Sequence, residues 1–374
     1  MKKERMASIV KILLAVMFLA VLIFVIAYQN RDRSFGNVVN ILSGGSAAEE
    51  GRSIEGYAGG TALPYGKQVL LVTTNTFMLM EDDGDGRVVD ISVPSPGSSV
   101  GGKYILIYDR DGRDFTLYEG QKLIYSLRSE APIIAGKVNQ NGYALVASAV
   151  LGGGTDITVY NNKGDAVYAW SMGSGEFVDM DLSPDNSRMV ISSVGAAVDE
   201  LRGELSVIRI DSTERLASGY ETDEIYFNVK MNRDYTISAL GSSQLALYNS
   251  DGSRRWTLDY QGRTLLSADI TNPDMMIICC ESASSGLMGN STQIEIVNRM
   301  GEITASTAFD GLCENLSLNS GDFAVSAGNR VYVYNERCQL QKELLSDFGV
   351  KHMALFAGGK AAFVMSGSAG NIVK

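Results

Sequence analysis

The segment of this sequence with the clearest metal-binding composition is the acidic run Glu81–Gly86, which reads EDDGDG. Loops that hold calcium supply several carboxylate and carbonyl oxygens at fixed spacing and close with a further carboxylate. The closing position here is Val89, and Asp90 follows one residue late. The run Asp109–Asp114 is a second acidic turn, but two arginines interrupt it. We interpret both runs as solvated hairpin tips and expect no cofactor, with calcium at the Glu81–Gly86 turn as the alternative.

Side chains for nucleophilic, quinone-dependent or glycosidase chemistry do not form a recognisable set. His352 is the only histidine, so a Ser–His or Cys–His pair would depend on that one residue. A quinone cofactor needs a stacked tryptophan and a catalytic carboxylate, yet Trp170 and Trp256 occupy positions where packing between repeats is expected. Acidic residues are scattered through turns and do not suggest the pair that glycoside hydrolysis requires. We therefore predict that the protein performs no catalysis of its own.

The four cysteines, Cys279, Cys280, Cys313 and Cys338, favour a structural role. Cys279 and Cys280 are adjacent in a strand-like segment, and adjacent strand residues point to opposite faces, so the two cannot ligate one metal. The sequence contains neither a CxxC motif nor a nearby Cys/His set, which gives zinc and redox chemistry little support. We expect buried small side chains, with a Cys313–Cys338 disulfide as an alternative in an exported domain.

Charge is distributed unevenly along the chain and limits the classes of partner. Residues 1–33 contain six basic and two acidic side chains, whereas the whole chain has a net charge of −11. The remaining residues therefore carry a strong negative charge, which phosphate backbones and anionic lipid surfaces repel. We expect no nucleic-acid binding.

The N-terminal segment predicts a membrane anchor. Residues 9–28 are almost wholly apolar, and about 20 helical residues span the hydrocarbon core of a bilayer. The basic residues that precede them place 1–8 in the cytoplasm and the remainder outside. Residues 29–51 are polar and glycine-bearing, as in a flexible linker, and lead into a domain at 52–374. A cleaved secretory signal is the alternative, and it also exports that domain.

A short phrase recurs along that domain, in which an apolar residue, Asn or Asp, two further residues and Gly follow a strand-like run. The copies are Tyr160–Gly164, Tyr248–Gly252 and Val297–Gly301, with decayed ones at Met80–Gly84 and Tyr334–Cys338. Asn, Asp and Gly tolerate the positive φ of tight hairpins, so each copy predicts a strand that reverses direction. A hairpin that recurs about every 40 residues indicates a β-propeller with four strands per blade.

The phase of the repeat predicts eight blades, with seven as the alternative. Third strands should end near Met80, Tyr118, Tyr160, Ile210, Tyr248, Val297, Tyr334 and Val373. The last unit, from His352, has only three strands. Because an open ring leaves an unpaired edge, we expect Arg52–Tyr57 to supply the missing outer strand.

The sequence resembles the quinoprotein-type and WD-type propellers. Gly252–Trp256 resembles the Gly-x-x-x-Trp ending of quinoprotein repeats, and Ser183–Asp185 resembles the Ser-Pro-Asp turn of WD-like and TolB-like propellers. Across its length the chain looks most like an uncharacterised family of membrane-anchored propellers from Gram-positive bacteria. That resemblance includes Gly56–Gly60 before the first blade and Leu106–Arg110 in the second. This resemblance implies the fold and the topology only.

Three enlarged connections between second and third strands are the remaining signal for function, at Ala149–Thr155, Ala196–Gly203 and Glu281–Ser291. In a propeller such connections emerge on one face, and apolar or Arg side chains on them are plausible contact sites. Unconstrained loop growth is the alternative interpretation. The candidate partner-binding residues are Asp199, Leu201, Arg202, Leu287 and Met288.

These observations favour an extracytoplasmic, membrane-anchored scaffold that binds a protein partner at the cell envelope. The alternative is a ligand-binding sensor or enzyme that uses the central channel for a cell-wall sugar or peptide.

Overall fold

A computed structural model of the chain describes most of the predicted repeat domain. The described residues are 53–55, 60–173, 175–197, 200–211, 217–282, 290–367 and 369–374. The predicted N-terminus (1–8), transmembrane helix (9–28) and linker (29–51) lie outside the described residues, so these assignments stay predictions. Within the described ranges, no helix is long and apolar enough to cross a membrane.

The described residues form eight antiparallel sheets of four strands each, arranged as the blades of a propeller. The first strand of the described residues is β1 (Ser53–Glu55). Blade 1 has β2 (Thr61–Tyr65), β3 (Gln68–Val72), β4 (Thr76–Met80) and β5 (Gly86–Asp90). Blade 2 has β6 (Pro96–Gly101), β7 (Tyr104–Asp109), β8 (Asp114–Glu119) and β9 (Lys122–Arg128). Blade 3 has β10 (Ile133–Val138), β11 (Ala144–Ala149), β12 (Thr155–Tyr160) and β13 (Ala166–Met172). Blade 4 has β14 (Glu176–Leu182), β15 (Arg188–Ala197), β16 (Glu200–Arg209) and β17 (Ala217–Thr222).

The other four blades repeat this order. Blade 5 has β18 (Tyr226–Met231), β19 (Ile237–Gly241), β20 (Gln244–Tyr248) and β21 (Arg254–Asp259). Blade 6 has β22 (Leu265–Asp269), β23 (Met276–Glu281), β24 (Ser291–Val297) and β25 (Ile303–Asp310). Blade 7 has β26 (Asn315–Asn319), β27 (Asp322–Ala327), β28 (Arg330–Tyr334) and β29 (Leu340–Leu345). Blade 8 has β30 (His352–Leu355), β31 (Ala362–Ser366) and β32 (Ala369–Val373). The predicted eight blades are confirmed.

The ring closes through a strand from the other end of the repeat domain. β1 pairs with β32 in antiparallel register, from Ser53↔Asn371 to Glu55↔Ala369. Blade 8 thereby gains its fourth, outermost strand from residues that precede blade 1. The expectation that Arg52–Tyr57 completes the last unit is confirmed, and the edge of β32 is no longer open to other chains.

The core lies between the blades, because each blade buries both of its faces. In β3, Val69 and Leu71 pack on one side, with residues of blade 8. Leu70 and Val72 pack on the other side, with residues of blade 2. Adjacent strand residues point to opposite faces, so burial on both sides produces the continuous apolar runs seen in second strands. Each fully buried aliphatic side chain contributes about 1.5–3 kcal/mol.

The recurring phrase forms the turn between third and fourth strands. Asn161 Oδ1 accepts hydrogen bonds from the backbone N–H groups of Lys163 and Asp165, at 2.8 and 3.0 Å. Gly164 follows with a φ of +89°, which a residue without Cβ adopts at no steric cost. Asn298 and Asn335 make the same pairs of hydrogen bonds. In the decayed copy Cys338 takes the glycine position, at a φ of +55°.

The tryptophans pack between blades as expected. Trp256 Nε1 donates to the backbone oxygen of Arg299 in blade 6 at 3.0 Å. A Cβ atom added at Gly301 would lie 2.7 Å from the Trp256 ring, so that turn must carry glycine. Trp170 packs against a cluster that blades 3 and 4 share.

The cysteines are all buried and unpaired by disulfide bonds. Cys279 and Cys280 contact different core clusters, which confirms that they point to opposite faces. The alternative Cys313–Cys338 disulfide is wrong for this structure, because both sulfurs remain thiols. A hydrogen bond with Cys313, together with burial, raises the pKa of the Cys279 thiol well above its usual range.

One face of the propeller carries the connections between second and third strands, and we call it the hairpin face. The connections from one blade to the next emerge there too. For example, the Ile91 backbone N–H donates to Asn75 O at 2.7 Å, and the Glu281 N–H donates to Thr264 O at 2.8 Å. The first strand of each blade is its inner strand, nearest the central axis. Each inner strand therefore starts at the hairpin face and runs away from it.

Candidate docking face

The hairpin formed by β15 and β16 projects from blade 4 on the hairpin face. Its pairing continues to Ala197↔Glu200. The neighbouring strands stop earlier: β14 pairs with β15 only as far as Val194, and β17 pairs with β16 only as far as Gly203. Three residue pairs therefore extend beyond the blade. At about 3.4 Å per residue they project by roughly 10 Å.

This pairing corrects the sequence assignment of Ala196–Gly203 to an enlarged loop. Leu201 and Arg202 lie on β16, paired with Ala196 and Gly195, and only residues 198–199 lie between the two strands. The assignment was wrong because backbone pairing, which composition does not report, continues past the end of the blade to Ala197↔Glu200. The two candidate residues are thus presented by a paired ribbon.

A cleft of about 440 Å³ runs along this ribbon. Its walls are residues 201–203 of β16 and residues 221–225, which lead into blade 5. Leu201 is 68% exposed beside it. Arg202 Nη1 donates to Glu221 Oε2 at 2.9 Å, but both side chains are largely exposed. An exposed pair of this kind contributes at most about 1 kcal/mol, so a partner's charge can replace either member at low cost.

Two carboxylates of the cleft wall are fixed by hydrogen bonds. Glu224 accepts from the Ser243 N–H and from the Ser242 and Ser243 hydroxyls, at 2.6–3.0 Å. Asp223 accepts from Arg254 at 2.5 Å and from Gln244 at 3.1 Å. Burial opposes ionisation of Asp223, but these hydrogen bonds outweigh it and lower its pKa. The wall therefore remains negatively charged at neutral pH.

A second enlarged connection of the hairpin face exposes an apolar side chain that sequence reasoning did not select. Leu151 is 97% exposed in the connection 150–154 of blade 3. Gly152, Gly153 and Gly154 follow it, all with positive φ. The available signal was an apolar residue directly before three glycines in a connection already recognised as enlarged.

The other candidate residues fall where the structure is not described. Asp199 lies in the tip 198–199, and Leu287 and Met288 lie in 283–289. Of the five predicted contact residues, the described ranges thus place Leu201 and Arg202 together at the cleft. The role of all five in partner binding stays a prediction.

A buried ion pair supports the hairpin face between blades 5 and 6. Arg263 Nη1 and Nη2 donate to the two carboxylate oxygens of Glu295 at 2.9 and 3.1 Å. Arg263 Nε also donates to Tyr260 O at 2.9 Å. The two charged side chains are only 16% and 10% exposed, and the hydrogen bonds to Glu295 raise the pKa of Arg263. This pair fixes the connection that precedes β22.

The Glu81–Gly86 turn joins β4 to β5, and two of its carboxylates have partners within the protein. Asp83 Oδ1 accepts from the Asp85 N–H at 2.9 Å, and Glu81 Oε1 accepts from Gln68 at 2.7 Å. In the part of the chain that the structure describes, no group of three or more His, Cys, Asp or Glu could hold a metal ion. Calcium at this turn remains an alternative for experiment. His352 opens β30, as expected, with an exposed side chain.

The fold and its hairpin face define an eight-bladed β-propeller. Residues 49–374 match the model of a family described as "Family of unknown function (DUF5711)". Since this match covers most of the chain, the protein belongs to the DUF5711 family. No curated protein matches the sequence.

Solved structures that resemble this chain are also propellers. The C-terminal WD40 domain of Sif2 is 14% identical with a TM-score of 0.61, covering 87% of this chain and 97% of its own. Sqt1 of Saccharomyces cerevisiae is 12% identical with a TM-score of 0.57, covering 87% and 98%. BamB of Moraxella catarrhalis is 12% identical with a TM-score of 0.51, covering 88% and 98%. At these identities the likeness establishes the β-propeller fold alone.

Proposed function

We propose that this protein is a protein-interaction scaffold of the cell envelope. A single-pass anchor holds the propeller outside the membrane, and the hairpin face binds a protein partner. The observation that carries this proposal is the ribbon of β15 and β16, which extends three residue pairs beyond blade 4. It presents Leu201, 68% exposed, beside a cleft of about 440 Å³.

The rigidity of the scaffold favours binding. A paired ribbon on a closed ring loses little conformational entropy when a partner binds, so more of the contact energy is retained as affinity. Arg is enriched among the side chains that dominate the binding energy of protein interfaces, and Arg202 and the exposed Leu201 both line the cleft. Leu151 adds an exposed apolar contact on the same face.

Crosslinking in membranes tests the scaffold function. We would compare the wild type with a variant in which four face residues are changed, and identify captured proteins by mass spectrometry. The control variant carries Leu123→Ser and Leu340→Ser. These leucines are 54% and 51% exposed and lie at the ends of outer strands β9 and β29 that are farthest from the hairpin face. The face variant carries Leu201→Ser, Arg202→Ala, Leu287→Ser and Met288→Ser.

We expect the wild type and the control to capture the same protein and the face variant to lose it. Equal capture by all three would overturn the assignment of the binding face. Failure of the wild type to capture any protein would overturn the scaffold function itself.

The outside location is part of the proposal and rests on the apolar segment 9–28 and the basic residues before it. Protease added to intact protoplasts should degrade residues 52–374 while a cytoplasmic marker protein survives. A propeller that is digested only after the protoplasts are lysed would contradict this topology.

A further inference from the structure

The inner strands of four consecutive blades share an irregularity that the other blades lack. In β10, β14, β18 and β22, the register against the second strand shifts by one residue near the start of the strand. The inner strands β2, β6, β26 and β30 pair without a shift. The extra residues are Ile134, Val178, Phe227 and Leu266, and we call these four the bulge arc.

All four residues of the bulge arc are large and apolar. A β-bulge leaves its extra residue outside the ladder and changes the direction of its side chain. Ile134 and Phe227 are 40% and 46% exposed, and Val178 and Leu266 are half-buried. Exposure of apolar side chains to water is unfavourable. Leu266 packs partly against the core of blades 6 and 7, whereas Ile134 and Phe227 leave apolar surface in water that a partner could cover.

The position of the bulge arc is fixed by the propeller topology. Inner strands of most adjacent blades contact one another around the central axis, β10 with β14 and β14 with β18 among them, and each starts at the hairpin face. The bulge arc therefore lies at the mouth of the channel, on the same face as the Leu201 cleft. Ile225 lines that cleft and is two residues from Phe227 in the sequence, so the cleft and the arc are neighbours at the start of blade 5.

Acidic side chains outnumber basic ones around the bulge arc. The connections 129–132 and 223–225, which lead into β10 and β18, contain Glu130, Asp223 and Glu224 but no Lys or Arg. Arg110 bridges to Ile133, next to Ile134, and Arg263 in the connection into β22 is already paired with Glu295. Glu176, the first residue of β14, is exposed. Apolar surface with an acidic border is complementary to apolar side chains flanked by positive charge. It disfavours anionic lipid surfaces and nucleic acids.

We propose that the partner, under the scaffold function above, binds here through a polypeptide segment that has bulky apolar side chains flanked by Lys or Arg. Its apolar side chains pack on the bulge arc at the channel mouth, and its basic residues face Glu130, Glu176 and the carboxylates of the cleft. The segment runs from the mouth across Ile225 toward the ribbon of blade 4.

Peptide selection on the full-length protein in detergent micelles tests this recognition. A phage-displayed library of random peptides would be panned on it. We expect the enriched peptides to combine Phe, Leu, Ile or Trp with Lys or Arg. Enrichment of acidic or purely polar peptides, or no enrichment, would overturn the proposal.

Binding constants of the enriched peptides then locate the site. Ile134→Ser with Phe227→Ser should weaken binding by at least about tenfold, as for central interface residues. Leu123→Ser with Leu340→Ser is the matched control and should leave binding unchanged. If both pairs of substitutions weaken binding equally, or if Ile134→Ser with Phe227→Ser leaves it unchanged, the peptides do not bind at the bulge arc. Because these side chains are partly exposed, unfolding midpoints should confirm that the variants remain folded.

A second pair of substitutions tests the charge argument separately. Glu130→Lys with Glu176→Lys should weaken the binding of the basic peptides. Raising the salt concentration should reduce the difference in affinity between this variant and the wild type. Unchanged affinity would contradict the role of the acidic border. If membrane crosslinking depends on Leu201 and Arg202 but not on Ile134 and Phe227, the scaffold function stands and the channel-mouth proposal fails.

Discussion

The buried ion pair Arg263–Glu295 gives a quantitative test of how the hairpin face is supported. Replacement of Arg263 by Met keeps much of the side-chain volume but leaves the Glu295 carboxylate without its two hydrogen bonds of 2.9 and 3.1 Å. Glu295 is only 10% exposed, so water cannot fully replace the guanidinium. Loss of one partner from a buried pair costs about 3–5 kcal/mol.

That free energy should be visible in the unfolding midpoint. Unfolding of roughly 320 residues has an entropy of about 0.7 kcal/mol/K, so the expected loss lowers Tm by about 4–7 °C. The double variant Arg263→Met with Glu295→Met removes both charges and should recover most of the stability, because paired buried charges are often replaceable by apolar side chains.

Calorimetry and guanidinium unfolding would measure these variants, with Arg128→Met as a matched control. Arg128 forms an exposed ion pair with Asp114 at 3.3 Å, and its loss should change stability by no more than about 1 kcal/mol. An Arg263→Met variant as stable as Arg128→Met, or a double variant less stable than the single one, would refute the reasoning.

Three further predictions concern ring closure, acid stability and thiols. A chain that lacks residues 1–57 loses β1 and should unfold at a lower temperature than one that lacks only 1–51; equal midpoints would contradict closure by β1. Burial opposes ionisation of Asp185, but hydrogen bonds from Ser183, Tyr235 and Ser187 outweigh it and lower its pKa, so its stabilisation is complete above the unfolded pKa of about 3.9 and is lost as pH falls below it. In urea unfolding, the stability difference between wild type and Asp185→Asn should therefore shrink below about pH 4, and a difference that grows there would contradict the sign. A thiol reagent should label the four cysteines only after denaturation, and rapid labelling of the native protein would contradict their burial; they are Cys279, Cys280, Cys313 and Cys338.

The blade count followed from local chemistry and was therefore readable in the sequence. An Asx turn closed by a residue at positive φ, as at Asn161 and Gly164, depends on a few adjacent residues. Because such turns recur at one position of each repeat, they set the phase of the strands, and Met80, Tyr160 and Val297 end third strands as expected. The three-stranded last unit also predicted a closing strand, since an open edge in a ring is costly.

The candidate site was only partly readable. Enlarged connections indicated the face, but the ladder that places Leu201 and Arg202 on β16 depends on backbone pairing that composition does not report. Leu151 was visible as an apolar residue before three glycines, yet its 97% exposure became evident only in the folded protein.

The sequence by itself determined the repeat, the number of blades, the closing strand and the acidic character of the chain, because each depends on residues close together or on simple sums. The tertiary structure alone decided the bulge arc, the Arg263–Glu295 pair and the Cys279–Cys313 contact. A bulge such as that at Phe227 is defined by the register between two strands, and the ion pair joins residues 32 positions apart. Such features depend on strand register and on contacts between residues distant in sequence, which exist only in the folded chain.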